Sequence, residues 1–160
     1  MTETLVRFSV GPHSCAMPIE AVQEVLRIVA VTPLPRAPKF VEGVINLRGV
    51  VTPVLDLRRR FGLEAPAADS STRILIARLG RTAAGLIVDD VTDVSAIDAE
   101  SRGIDPTEAL GINLRQYASR VVQVDGSLVI VIDPATLLTD AEVAAVEAAA
   151  TEEESDAGQA

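Results

Sequence analysis

Apolar residues recur at every second position near the start of the chain. In Leu5–Val10, Val6, Phe8 and Val10 fall on one face and Leu5, Arg7 and Ser9 on the other, the period of a half-buried strand. Gly11-Pro12-His13-Ser14 turns the chain, and Cys15-Ala16-Met17 reads as a short return strand. From Pro18 the spacing changes. Ile19, Val22 and Val25/Leu26 sit at helical intervals behind a proline suited to a first helical position, which predicts a short helix carrying Glu24. Arg27–Leu34 is β-branched and strand-like until Pro33, Pro35 and Pro38 stop it.

The stretch Gly43–Leu63 organises the rest. Two β-branched runs, Val44–Leu47 and Val50–Leu57, flank Arg48-Gly49, which predicts a hairpin with Gly49 at positive φ. Pro53 cannot donate to a ladder, so its strand is expected at an edge or beside a bulge. Arg58–Phe61 reads as one helical turn closed by Gly62. Glu64–Ser71 is small and polar, a surface linker and the expected boundary between two halves. Arg73–Leu79 and Ala84–Val88 are near-continuous apolar strands, and Val91, Val94 and Ile97 continue the sheet more loosely. Ala99–Asn113, with Gly103, Pro106 and Gly111, has no period and is expected to be a long loop. Ser119–Val124 and Ser127–Ile132 around Asp125-Gly126 give the strongest hairpin signal, since Asp-Gly suits a type I′ turn. Thr139 and Glu142 form a capping box that opens a closing helix to about Ala150. Short strands in two groups with little helix predict an all-β protein of two small barrels.

Composition narrows this picture. The 160 residues are 48% apolar yet contain no Trp, one Tyr and three Phe, so Val, Ile, Leu and Ala must build the core. A chain of this length buries roughly 68–70% of its unfolded surface, enough for one sizeable core or two that share a face. No apolar run is long enough to span a bilayer, and the first residues lack a secretory signal. The single Cys15 cannot form an intrachain disulfide, which fits a reducing cytoplasm. Of the net charge of −9, residues 139–160 carry −7 and the body only −2. That balance opposes nucleic acid and anionic membranes as partners and leaves another protein. Residues 151–160, acidic and free of aromatics, are expected to be disordered.

Few residues invite chemistry. His13 and Cys15 share a strand face, but no third group orients them, and they are too few for zinc. Asp89, Asp90 and Asp93 lack the loop spacing of a calcium site and read as a solvated strand end. No glycine pattern for cradling phosphate is present, and Arg58-Arg59-Arg60 reads as a solvated basic face. Neither metal nor cofactor is expected. Glu24 and Arg48 stand out more, each a charge flanked by apolar residues that would favour pairing. Two independent exposed side chains remain the alternative.

At these residues the sequence resembles the CheW family of chemotaxis coupling proteins. The likeness is carried by Val22-Gln23-Glu24-Val25, by Pro33, Pro35 and Pro38, by Gly43–Gly49 with Asn46 and Arg48, by Pro53–Arg58, and by Phe61-Gly62. It resumes at Gly85–Asp89 with Val91 and Val94, and again from Asp125-Gly126 to Leu138. The resemblance implies two packed SH3-like five-stranded β-barrels over residues 1–138, a boundary near 64–71, a helix over 139–150 and a tail over 151–160. It implies no catalysis. It implies a cytoplasmic adaptor, recruited to membrane receptor arrays, between chemoreceptor cytoplasmic tips and the regulatory domain of a CheA-type histidine kinase. By position, Val22, Glu24, Asn46, Arg48 and Val88 should line or support a receptor groove between the barrels. The kinase surfaces, at opposite ends of the molecule, should fall around Arg58–Leu63 and Ala99–Asn113, with Arg58, Arg59, Phe61, Ile104 and Pro106 as candidates. Two departures touch the second barrel: Ile104-Asp105-Pro106 lacks the second proline of many relatives, and Ser119-Arg120 stands where a glycine is usual.

Other readings remain at this point. The same fold could serve pilus motility or another kinase cluster. A fused receiver domain is not expected after residue 138. An SH3-like barrel could bind nucleic acid, against its charge, and Cys15 could serve an enzyme.

Overall fold

A computed structural model of the chain describes residues 2–98, 103, 105 and 110–148. Among these run β1 (Thr2–Val10), β2 (His13–Pro18), β3 (Val22–Arg27), β4 (Val41–Leu47) and β5 (Val50–Asp56), followed by β6 (Arg73–Leu79), β7 (Thr82–Val88), β8 (Asp90–Asp98), β9 (Ala118–Val124) and β10 (Ser127–Ile132). Helix is scarce: α1 (Leu57–Arg60), α2 (Ile112–Arg115), α3 over residues 140–148, and single 3-10 turns at Ile19–Ala21 and Pro134–Thr136. The expected acidic tail and most of the loop 99–109 lie outside the described residues.

Two five-stranded sheets result. The first has the order β3-β6-β7-β5-β4 and the second β8-β1-β2-β10-β9. The chain begins in the second sheet, crosses to the first after β2, and returns after β7. Residues 64–71 therefore do not divide two halves, because they join β5 and β6 of one sheet. The crossings are compact: the turn Ile19–Ala21 and the single residue Asp89.

Local chemistry explains the hairpins. At the β4–β5 tip both Arg48 (φ +52°) and Gly49 (φ +85°) take positive φ, and Asp125 (φ +50°) and Gly126 (φ +82°) do the same between β9 and β10. Positive φ at both central positions matches the right-handed twist of the flanking strands. Pro53 sits where β5 has only β4 beside it, because pairing to β7 begins at Val54. The accompanying irregularity is in β4, between Val41 and Gly43. There the chain closes the first barrel: Thr32 and Val44 exchange two backbone hydrogen bonds of 2.9 Å.

Two expectations fail in the same region. The predicted helix after Pro18 is one 3-10 turn followed by strand β3, whose residues alternate between half-buried and exposed. A turn plus the register shift between Val22 and Glu24 spaces apolar residues three apart, which imitates a helix. Arg27–Leu34 is not a continuous strand either. Only Thr32 bridges, and Ile28 and Val29 are exposed as the segment rounds the barrel end.

The main core is the seam between the sheets. It joins Val6, Phe8, Val10, Cys15 and Met17 to Leu55, Leu57, Leu75, Leu86 and Val88, and extends to Ile130, Ile132, Leu137, Val143 and Val146. Each such side chain, fully buried, contributes about 1.5–3 kcal/mol, so the two sheets share most of their stability. Smaller clusters fill each barrel alone, around Leu5 and Val122 in one and Ile74 and Ile87 in the other.

Candidate functional site

Glu24 lies on the edge strand β3 and Arg48 at the β4–β5 tip, on the two margins that close the first barrel. Arg48 Nη2 donates to Glu24 Oε2 at 2.5 Å. The guanidinium side is 73% exposed and the carboxylate 23%, so the pair forms a rim rather than a buried bridge. Among the described residues Glu24 Oε1 is buried without a hydrogen-bond partner, and Arg48 supports the carboxylate through Oε2. Asn46, exposed, accepts the Gly49 N–H on Oδ1 at 2.7 Å and holds the turn that presents Arg48. Val22, half-buried on the same strand as Glu24, packs against the seam core.

Val88 does not join them. It is fully buried, and along β7 it lies four residues beyond Ala84, which shares the row of Val22 through Ala77. At about 3.3 Å per residue that is roughly 13 Å away. Of the two roles expected, lining or supporting a groove, this burial places Val88 in the core of the seam, where it can support.

The arginine triplet is not the solvated face expected. The three side chains of α1 point three ways. Arg58, 4% exposed, is held by Asp56 through Nε–Oδ1 and Nη2–Oδ2, both 3.0 Å, and by Asp89 Oδ1 at 3.1 Å. Hydrogen bonding to Asp56 raises its already high pKa further. Arg59 is half-exposed and pairs with Glu42 at 3.2 Å. Arg60 forks onto Glu142 at 2.9 and 2.6 Å, donates Nε to the Leu137 carbonyl at 2.9 Å, and lies 4.1 Å from the Phe40 ring centroid and 5.3 Å from that of Tyr117. Tyr117 stacks in turn on Phe61, centroids 5.4 Å apart. Two rings thus lie against one guanidinium and a third, Phe61, backs the second of them, a cluster that sequence spacing did not reveal. Of the interface candidates here, Arg58 and Phe61 are buried and Arg59 is half-exposed, and Phe61 lines the cleft described next. Ile104 and Pro106 lie outside the described residues.

Between the barrels, at the α1 end, opens a cleft of about 420 Å³ lined by His13, Phe61, Gly62, Leu63, Asn113 and Leu114. The described end of the second expected region comes close here, since Asn113 reaches the open side of Gly62. This cleft is at the far end of β5 from Arg48, so the rim and the inter-barrel groove are separate features. His13 sits at its edge and Cys15 is buried, its thiol pushed up to about 12 by burial, so the two make no nucleophile. Asp89 accepts the Gly11 N–H at 2.6 Å as well as Arg58, which makes it structural rather than a solvated strand end. Among the described residues no group of His, Cys, Asp and Glu is arranged to hold a metal, and no helix is long and apolar enough to cross a membrane.

The family model for the CheW-like domain matches residues 4–142. The chain belongs to the CheW family. It is 33% identical over 130 residues to the chemotaxis protein CheW of Rhizobium meliloti, covering 81% of this chain and 83% of that one. To protein FrzA of Myxococcus xanthus it is 36% identical over 120 residues, 75% and 74% of the two chains. The crystal structure of the scaffolding protein TtCheW from Thermoanaerobacter tengcongensis superposes with a TM-score of 0.78 at 32% identity, covering 89% of this chain and 91% of that one. The two five-stranded sheets are thus the SH3-like barrels of a CheW scaffold, as the resemblance implied.

Proposed function

We propose that this chain is a non-catalytic chemotaxis adaptor that couples chemoreceptor cytoplasmic tips to the regulatory domain of a CheA-type histidine kinase. The Arg48–Glu24 rim supports the reading most directly. It is an exposed, positioned guanidinium on a barrel margin, where an amphipathic receptor helix can lie against apolar surface and pair at its edge. The α1 end, with half-exposed Arg59 and the cleft beside Phe61 and Leu114, is the kinase side. Recruitment to membrane arrays follows from the receptor contact alone. Multivalency makes modest single contacts sufficient.

Arg48→Ala tests the rim. An exposed pair is worth at most about 1 kcal/mol to folding, so the variant should remain folded. Association with receptor cytoplasmic fragments should weaken by about 1–3 kcal/mol, part of it from the Glu24 carboxylate left alone. Unaltered capture of receptor fragments and kinase by the variant would reject this role for Arg48. A scaffold for a different kinase cluster is the second reading, supported by the likeness to FrzA, a relative not named for chemotaxis. Identification of the kinase that co-purifies from the native host distinguishes the two.

A further inference from the structure

Asp89 occupies an unusual place: it is the sole residue between the last strand of one barrel, β7, and the first returning strand of the other, β8. Its N–H and both carboxylate oxygens are spent on the junction. Its N–H donates to the Ser9 carbonyl at 2.9 Å, Oδ2 accepts from Gly11 N–H at 2.6 Å, and Oδ1 accepts from Arg58 Nη1 at 3.1 Å. Ser9 and Gly11 belong to the β1–β2 hairpin of the second barrel, whereas Arg58 belongs to α1 of the first. Gly11 is pressed close to Leu63 there, a Cβ at its position falling 2.9 Å from Leu63 Cδ1.

Charge accounting separates two tasks. Asp56, 2% exposed, already neutralises Arg58 within the first barrel through two hydrogen bonds. The second carboxylate is not needed for that, and it is the one that reaches across. The apolar seam holds the barrels together, but apolar attraction is non-directional and would tolerate sliding or rocking. Charge-assisted hydrogen bonds are directional. We propose that Asp89 and Arg58 are positioning residues that fix the angle between the two barrels, so that the cleft the barrels share at the α1 end keeps a set shape for a partner. The consequence for assembly rests on the adaptor role proposed above; the fixed angle does not.

The angle is measurable with paired spin labels on the full chain, attached through Arg78→Cys on β6 and Leu128→Cys on β10, both exposed positions on different barrels. Cys15 is buried and does not compete for label. Asp89→Ala should shift the inter-label distance or broaden its distribution at least twofold while unfolding stays cooperative. Glu42→Ala, which removes the Arg59 partner inside one barrel, should leave the distribution unchanged. Should Asp89→Ala fail to fold, Arg58→Lys keeps the charge beside Asp56 but has a single head for two carboxylates, and should broaden the distribution likewise. A distribution for Asp89→Ala (or for Arg58→Lys in its place) that superimposes on the parent, or equal broadening in Glu42→Ala, overturns the positioning role. For assembly, binding of Asp89→Ala to receptor fragments, through the rim of the first barrel alone, should stay within twofold, while binding to the kinase regulatory domain, through a cleft with a wall from each barrel, weakens at least fivefold. Kinase binding of undiminished affinity despite a broadened distribution overturns the functional half. A parent protein that binds neither partner defeats the adaptor reading instead, and the label distances still decide the angle.

Discussion

Replacing Arg60 by alanine removes at one stroke the fork onto Glu142, the donor to the Leu137 carbonyl and the cation above Phe40 and Tyr117. The Arg60 side chain is only 13% exposed and Glu142 25%, so little of the loss is recovered from water. Hydrogen bonds to a charged partner contribute about 1.5–3 kcal/mol and a neutral carbonyl about 1. Partly desolvated cation–π contact adds about 0.5–2 kcal/mol. These terms share one side chain and do not simply add, so about 3 kcal/mol is the working figure. For a domain of this size 1 kcal/mol moves the midpoint about 2–4 °C, which predicts a fall of roughly 6–12 °C. The chain has one Tyr and no Trp, so tyrosine emission reports Tyr117 alone, beside the missing guanidinium. Thermal unfolding followed by both far-ultraviolet circular dichroism and tyrosine emission therefore reads global stability and the cluster together. Arg60→Lys, which keeps the charge but not the fork, should recover part of the loss. A parent-like midpoint and parent-like tyrosine emission for Arg60→Ala would show that the cluster does not hold α3 to the barrels.

Other perturbations follow from single observations. Gly43 has φ +151°, and a Cβ there would stand 2.0 Å from the Thr32 carbonyl oxygen, so Gly43→Ala should open the Thr32–Val44 closure and cost about 3 kcal/mol or more; chemical denaturation with a parent-like midpoint would contradict it. Burial alone would push the Glu142 carboxyl up, but the Thr139 N–H and Arg60 outweigh it and hold the group below the usual carboxylate range. A depressed folded pKa means that the unfolded chain binds the proton more readily, so this stability is full above about pH 4.3 and is lost as pH falls through the lowered value. The stability difference between the parent and Glu142→Gln should thus be level from pH 8 to about 5 and shrink in acid; a gap that stays level into acid would refute the ionic latch.

Hairpins were legible because their causes are local. Gly49 and Asp125-Gly126 supply turn conformations that few residues adopt, and the runs beside them alternate or cluster as strands do. The Glu24–Arg48 pair was legible as a suspicion, from two charges stranded among apolar neighbours, and the structure joins them. What stayed hidden depends on partners distant in sequence. Arg58 and Asp89 are 31 residues apart and Arg60 and Glu142 are 82, so nothing within the run of arginines tells a bracket from a solvated face. The helix expected after Pro18 failed for a related reason: a bulge is visible only against the partner strand, and β6 lies some fifty residues downstream. Crossing between the sheets at one residue leaves no compositional mark, whereas the polar stretch 64–71 leaves a strong one and is only a loop within one barrel.

The same strand carries both ends of the site. β5 runs from Val50, beside the Arg48 turn, to Asp56, which caps α1 by accepting the Arg58 N–H at 2.9 Å. Six steps at about 3.3 Å separate the Arg48 turn, proposed to face the receptor, from the α1 bracket, on the proposed kinase side, by roughly 20 Å. From Val54 onward β5 is paired on both sides, and Leu55 and Val54 are fully buried, so that span is held by ladders and core and not by loops. An adaptor transmits geometry only if its two contacts cannot move independently. Placing one at the head of β5 and the other at its foot meets that condition within a single element, and the angle to the second barrel then matters for the cleft at the foot, whose His13 wall belongs to the other sheet, the angle that Asp89 and Arg58 are proposed to fix.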